Sequence, residues 1–185
     1  MILKEEEKKK FDLVPECLQQ GVCVWLFDLG THMDTNFNKE KRLIRLGFEL
    51  SEVRIAGEKD GKHYDYAKKI SKEYNASMNE KSTLRKHLES WRGRKFTDDE
   101  KKGFDLQTIL GVNCMVQIIH ETKGEDTYAN INNILPIYKG MEVRKPESKI
   151  LYFDLHASSD VPEGTPQWIK DKILKCKELT VKEGI

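Results

Sequence analysis

Apolar residues recur at every second position over several stretches of this chain and at every third or fourth over another, and that contrast predicts its elements. From Gly21 onward Val22, Val24 and Leu26 alternate with Cys23, Trp25 and Phe27, before Asp28, Gly30 and Asp34 bring in polar, turn-prone positions. Apolar on both faces, this run predicts a central strand. Between Arg42 and Leu50 the period of two is cleanest: Ile44, Leu46, Phe48 and Leu50 share one face, and Leu43, Arg45, Gly47 and Glu49 the other. The first face is expected in a core and the second largely in water. A turn-rich stretch through Gly57, Asp60 and Gly61 leads to a third strand, His63 to Ala76, where Tyr64, Tyr66, Ile70 and Tyr74 sit among lysines. Periodicity alone leaves a helix open there.

Ser77 with Glu80 three residues on has capping-box spacing, and Leu84, Leu88 and Trp91 then occupy one helical face until Gly93 stops the helix. Thr97 and Glu100 repeat the spacing before Gly103, and Asp105 to Leu110, closed by Gly111, predicts one more short helical turn. Next, Val112, Cys114, Val116 and Ile118 alternate with Asn113, Met115, Gln117 and Ile119. After the turn from Glu121 to Asp126, Tyr128, Asn130 and Asn132 stand opposite Ala129 and Ile131, which predicts a hairpin with one polar face. Periodicity lapses beyond Gly140 until Trp168, Ile169, Ile173 and Leu174, an amphipathic helix starting behind Pro166. The expected organisation is a charged arm over 1–20, a β-rich domain over 21–140 and an extension with a helix over 141–185. Three strands, a helix, then two strands is the order of the oligonucleotide-binding (OB) barrel. The fold expected is therefore mainly β with α, a five-stranded OB-like barrel with its helix between strands three and four.

Composition narrows the class. With 185 residues, 38% hydrophobic and 34% charged, the chain suits one domain with a modest core. The longest apolar run, Val22 to Phe27, is too short to cross a bilayer, and MILKEEEKKK lacks the apolar centre of a signal peptide, so a cytoplasmic location is expected. Cys17, Cys23, Cys114 and Cys176 show no CxxC pairing and are expected as buried thiols in a reducing compartment. His32, His63, His87, His120 and His156 lack metal-site spacing, and neither a P-loop, a GxGxxG nor a GxSxG motif is present, so no metal, no cofactor and no enzymatic activity is expected. The enzyme class weighed against this is a Mg²⁺-dependent nuclease, because Glu121, Thr122 and Lys123 spell ExK with Asp105 upstream. The run into Gly124, Glu125 and Asp126 reads instead as an exposed hairpin turn.

Charge supplies the functional clue. The whole chain carries a net +1, yet between Lys81 and Lys95 six positive residues face the single acid Glu89. A polyanion is the natural partner of such a segment. Binding single strands without sequence preference needs cations that follow the phosphates and flat side chains on which bases stack. Arg85, Lys86, Arg92, Arg94 and Lys95 are the first phosphate candidates. Lys41 and Arg45 on strand two, with Lys68, Lys69 and Lys72 on strand three, form a second set. Tyr128, Tyr64, Tyr66 and Tyr74 are stacking candidates, whereas Trp91 shares the apolar face of Leu84 and Leu88 and is expected in the core. Arg92 has an alternative role, tied to an acid of the following loop. A protein-interaction or inhibitor module on the same barrel is the competing class, favoured if the basic residues prove paired with acids.

The string LRKHLESWRGRKFTDDE, then GFDLQTILGVNCMVQIIHE, TYANI and PIYKGM, resembles a group of phage-encoded single-stranded DNA-binding proteins of replication and recombination modules, over about Gly21 to Ile173. The resemblance implies an OB-type barrel that coats single-stranded DNA, with replication or recombination proteins as partners. The chain departs from many replication single-strand binders in ending KCKELTVKEGI rather than in an acidic tail with a terminal aromatic. A homodimer through the C-terminal extension is a further expectation.

Overall fold

The computed structural model describes residues 13–158 and 160–180; most of the charged start, 1–12, lies outside the described residues. Three long antiparallel strands come first: β1 (Leu18–Asp34), β2 (Lys39–Lys59) and β3 (Lys62–Asn75). The helix α1 (Thr83–Arg92), the short α2 (Asp98–Lys102) and a 3₁₀ turn at Leu106–Ile109 lead to the hairpin β4 (Asn113–Lys123) and β5 (Asp126–Leu135). The strands are ordered β3-β2-β1-β4-β5 and curl into an OB-like half-barrel with its helix between strands three and four. A short β6 (Leu151–Phe153), α3 (Gln167–Leu174) and α4 (Lys177–Thr180) complete the extension.

The central strand explains why the sequence is apolar on both of its faces. Leu26 turns into a core with Ile44, Leu46, Phe48, Leu50, Val116, Ile118 and Ile131, which α1 caps with Leu84, Leu88 and Trp91. Phe27 and Leu29 point outward into a second core made with Leu151, Phe153, Ile169 and Ile173 of the extension. β6 lies parallel against Trp25 to Phe27, so the extension adds backbone pairing to the apolar contact. Each fully buried Leu, Ile or Phe removed from water contributes roughly 1.5–3 kcal/mol. The second core is thus a substantial anchor.

Several local expectations need correcting. The outer face of β2 is not wet: Glu49 is fully buried, its carboxylate accepting the backbone N–H groups of Glu147 (2.7 Å) and Ser148 (2.9 Å). The covering chain lies about a hundred residues away in sequence, so no local pattern could show it. β2 also continues past Leu50 through an irregularity between Leu50 and Arg54 and carries on to Lys59, ending in a tight turn where Asp60 and Gly61 both have positive φ. Gly57 belongs to this ribbon because the Tyr64 ring lies over it: a Cβ there would come within 2.4 Å of the hydroxyl. Helix α1 starts behind Ser82, whose hydroxyl accepts the Arg85 N–H, and not behind Ser77 and Glu80. Thr97 and Glu100 do form a reciprocal capping box, and Gly93 closes α1 in the left-handed region. Within the segment 1–20, Val14 is buried and Leu18 opens β1. Cys17 is exposed while the other three thiols are buried. In α3 the buried side chains are Ile169 and Ile173; Trp168 and Leu174 face outward. Among the described residues no helix is long and apolar enough to cross a membrane.

Candidate nucleic-acid interface

The basic helix and loop that dominate the sequence are built into the scaffold. Arg85 is buried, its Nε donating to Glu89 at 2.9 Å and one guanidinium nitrogen donating to the Met78 carbonyl. Arg92 packs against the edge-on pair Phe96 and Phe104, 4.4 and 5.1 Å from their ring centroids, and pairs with Glu100. Arg94 grips the same carboxylate with both terminal nitrogens, at 2.7 and 2.9 Å. These bonds from Arg94, the Thr97 backbone and Arg92 hold the Glu100 carboxyl far below the usual carboxylate range. Of that segment, Lys81, Lys86 and Lys95 are exposed, and so is Arg94 although it is paired with Glu100. Arg92 is pinned to an acid of the following loop, as one reading of the sequence anticipates, though to Glu100.

The candidates on β2 are likewise engaged. Lys41 pairs with Asp34 and lies over the Phe37 ring. Arg45 donates to Glu73 (3.0 Å) and Ser71 (3.2 Å) and stacks 4.7 Å from the Trp168 ring.

The remaining candidates lead to the seam of the half-barrel. β3 and β5 are the two outer strands of the sheet and run in the same sense, each two antiparallel steps or their equivalent from β1. A closed barrel would join them by a backbone ladder; here side chains bridge them. Lys72 on β3 donates to the Ile131 carbonyl on β5. Burial lowers the Lys72 pKa, opposed by the charge of Glu121. Beside it, His87 of α1 has Nδ1 2.9 Å from the Tyr74 hydroxyl and bonds the Asn132 backbone. The Tyr74 O–H therefore donates to Nδ1, leaving Nε2–H for the carbonyl. Burial first, then the Lys72 charge, pushes His87 down to about 4, so its ring is neutral near pH 7. Tyr74 is only 3% exposed and belongs to this bridge; it offers no face to a base.

Toward the start of β3 and the β4–β5 turn, the seam opens into a groove of about 980 Å³. Tyr64 on one wall and Tyr128 on the other are 40% and 47% exposed, and the Tyr66 ring lies 5.9 Å from that of Tyr64. Lys68, Lys123 and Arg54 supply positive charge along the walls. Arg54 is tied to Asp65 at 2.8 Å and to Glu147. Lys123 is exposed at the end of β4, whereas the Lys69 ammonium lies on the other face of the sheet, 6.0 Å from the Trp25 ring. Two hairpins position these groups. The β2–β3 ribbon carries Tyr64 and Lys68 on one face by strand alternation, and the β4–β5 hairpin turns at Gly124 in the left-handed region to present Lys123 and Tyr128.

Of the residues singled out from sequence, the groove gathers Tyr64, Lys68 and Tyr128, while Lys69 turns to Trp25 and Lys72 to the Ile131 carbonyl. Lys123 entered the sequence reading only within ExK, and Arg54 was missed because its strand reads as a turn-rich excursion. The two carboxylates of the nuclease reading have separate tasks: Asp105 caps the 3₁₀ turn by accepting the Gln107 N–H, while Glu121 accepts from Asn130 at 2.7 Å on β4. Among the described residues no three His, Cys, Asp or Glu side chains are grouped to hold a metal ion. No family model, curated protein or solved structure matches the chain.

Proposed function

We propose that this protein binds single-stranded DNA with little sequence preference, through the groove in the barrel seam, and that it serves phage replication or recombination. The observation that carries the reading is the placement of exposed Tyr64 and Tyr128 on opposite walls of a lysine-bordered groove in an OB-like half-barrel. Stacking on aromatic faces is tolerant of sequence because every base offers a π-face, and lysines on the rim follow the phosphates. The groove lies where the β2–β3 ribbon and the β4–β5 hairpin project, and OB-type folds commonly use a sheet face with flanking loops for such ligands. The phage context rests on the resemblance of the α1 to β5 strings.

The test is fluorescence anisotropy of a labelled single-stranded oligonucleotide against its duplex, at low and near-physiological salt. Salt-sensitive binding confined to the single strand is the expected result. Replacing Tyr64 and Tyr128 together by alanine should weaken it by at least tenfold, since each base stack contributes about 1–3 kcal/mol. Absence of binding at either salt would sink the reading. The pairing of Arg85, Arg92 and Arg94 with Glu89 and Glu100 favours a second one, a protein-interaction module on the same barrel. In that case oligonucleotides fail to bind at all.

A further inference from the structure

A second cavity lies at the other end of the β4–β5 hairpin from the groove. The pairs Met115 with Leu135 and Lys123 with Asp126 mark those two ends. At about 3.4 Å per residue they are roughly 27 Å apart. The cavity, about 610 Å³, is walled by Trp91, Phe104, Ile109 and Ile137. Its mouth carries Val112 and Val143, 43% and 68% exposed, so the apolar surface continues beyond the opening. The walls are held in place: the Trp91 indole N–H donates to the Asn113 carbonyl at 2.9 Å, and Phe104 packs edge-on against Phe96. This is the size of a pocket for a small ligand or a few residues of peptide.

The electrostatics select the occupant. Arg92 is the one charged side chain in the lining, and among the described residues its Nη1 has no hydrogen-bond partner. Arg92 and Arg94 share the single carboxylate of Glu100, which leaves one positive charge uncompensated at that wall. Lys139 and Lys145 follow Ile137 and Val143 by two residues and stand in no ion pair among the described residues, against the one exposed acid of that stretch, Glu142, so the balance stays positive. An apolar hollow beside excess positive charge matches a large apolar side chain flanked by carboxylates, and the apolar mouth offers contact to the chain on either side of that anchor.

We propose that this cavity docks a short acidic peptide segment of another protein, one large apolar side chain filling the hollow and neighbouring carboxylates facing the basic wall. The protein would then hold its partner at one end of the barrel and leave the seam groove open at the other.

The experiment uses the full chain and a fluorescein-labelled octapeptide with four aspartates and one phenylalanine, read by anisotropy. Saturable binding is expected, weakened several-fold by near-physiological salt. Replacing the phenylalanine by serine should lower affinity by about tenfold or more. Val143→Asp, which places a like charge at the mouth on a side chain that is already exposed, should do the same. Thr108→Trp, which fills the hollow, should abolish binding, with thermal unfolding reporting that each variant is folded. Binding of labelled single-stranded oligonucleotide by Val143→Asp should match the parent chain, so failure of the peptide reading and failure of the nucleic-acid reading are separable. The proposal is overturned if the peptide does not saturate, if the serine peptide binds as well, if folded Val143→Asp binds undiminished, or if single-stranded DNA displaces the peptide.

Discussion

Arg92 and Lys123 show how little charge alone says about the role of a residue. Arg92 is charged and follows Trp91 in the most basic stretch of the chain, yet its guanidinium is packed against two phenylalanines and bound to Glu100. Arg92→Ala should therefore lower stability by about 2 kcal/mol in urea unfolding, through lost packing as well as lost charge, and leave the salt dependence of oligonucleotide binding unchanged. Lys123→Ala should leave stability unchanged and flatten the log–log salt slope by about 0.7. A flattened slope for Arg92→Ala, or none for Lys123→Ala, would reverse the assignment. His87 carries a pH signature. Its folded pKa of about 4 lies below the ordinary 6.5, so the unfolded chain binds that proton more readily. Its contribution is complete above about pH 6.5 and is lost as the pH falls toward 4. Urea midpoints measured across that window should decline for the parent and decline less for His87→Gln.

Elements were legible where the pattern is local. The period of two in β1, β2 and β4, the apolar face of α1 and the glycine stop at Gly93 all follow from short-range rules, and the structure has them. What escaped was contact between distant segments. Glu49 reads as a surface acid because its partners, the N–H groups of Glu147 and Ser148, come from the extension. The groove was only partly visible, since Tyr64 and Tyr128 belong to different hairpins and only curling of the sheet brings them onto facing walls. The ribbon beyond Leu50 was obscured by its irregular pairing and by Gly57. Docking of α4 turns on one glycine: Gly30 has φ +75°, and a Cβ there would lie 2.6 Å from that of Cys176. Next to it Glu178 accepts the Thr31 N–H and hydroxyl at 2.8 and 2.7 Å. Gly30→Ala should cost about 2 kcal/mol from backbone strain and overlap, a fall in melting temperature of roughly 4–8 °C. An unchanged melting temperature would show that the C-terminal helix is not held there.

At the scale of the whole molecule, the half-barrel and its extension depend on each other. Removing residues 141–185 would uncover Phe27 and Leu29 on β1 and leave the buried Glu49 carboxylate without its backbone donors. Such a truncated chain should aggregate or unfold without cooperativity, as gel filtration and thermal melts would report; a monomeric, cooperative melt would make the first core self-sufficient. The seam has a different kind of consequence. Where two strands share a ladder, their spacing is set at about 4.8 Å whatever their side chains are. Between β3 and β5 the span is set by the reach of a lysine and an imidazole. The bore of this barrel is thus written in side chains, like a ring closed by an adjustable clasp. Changes at positions 72 and 87 could widen or narrow it without shifting the register of a single strand.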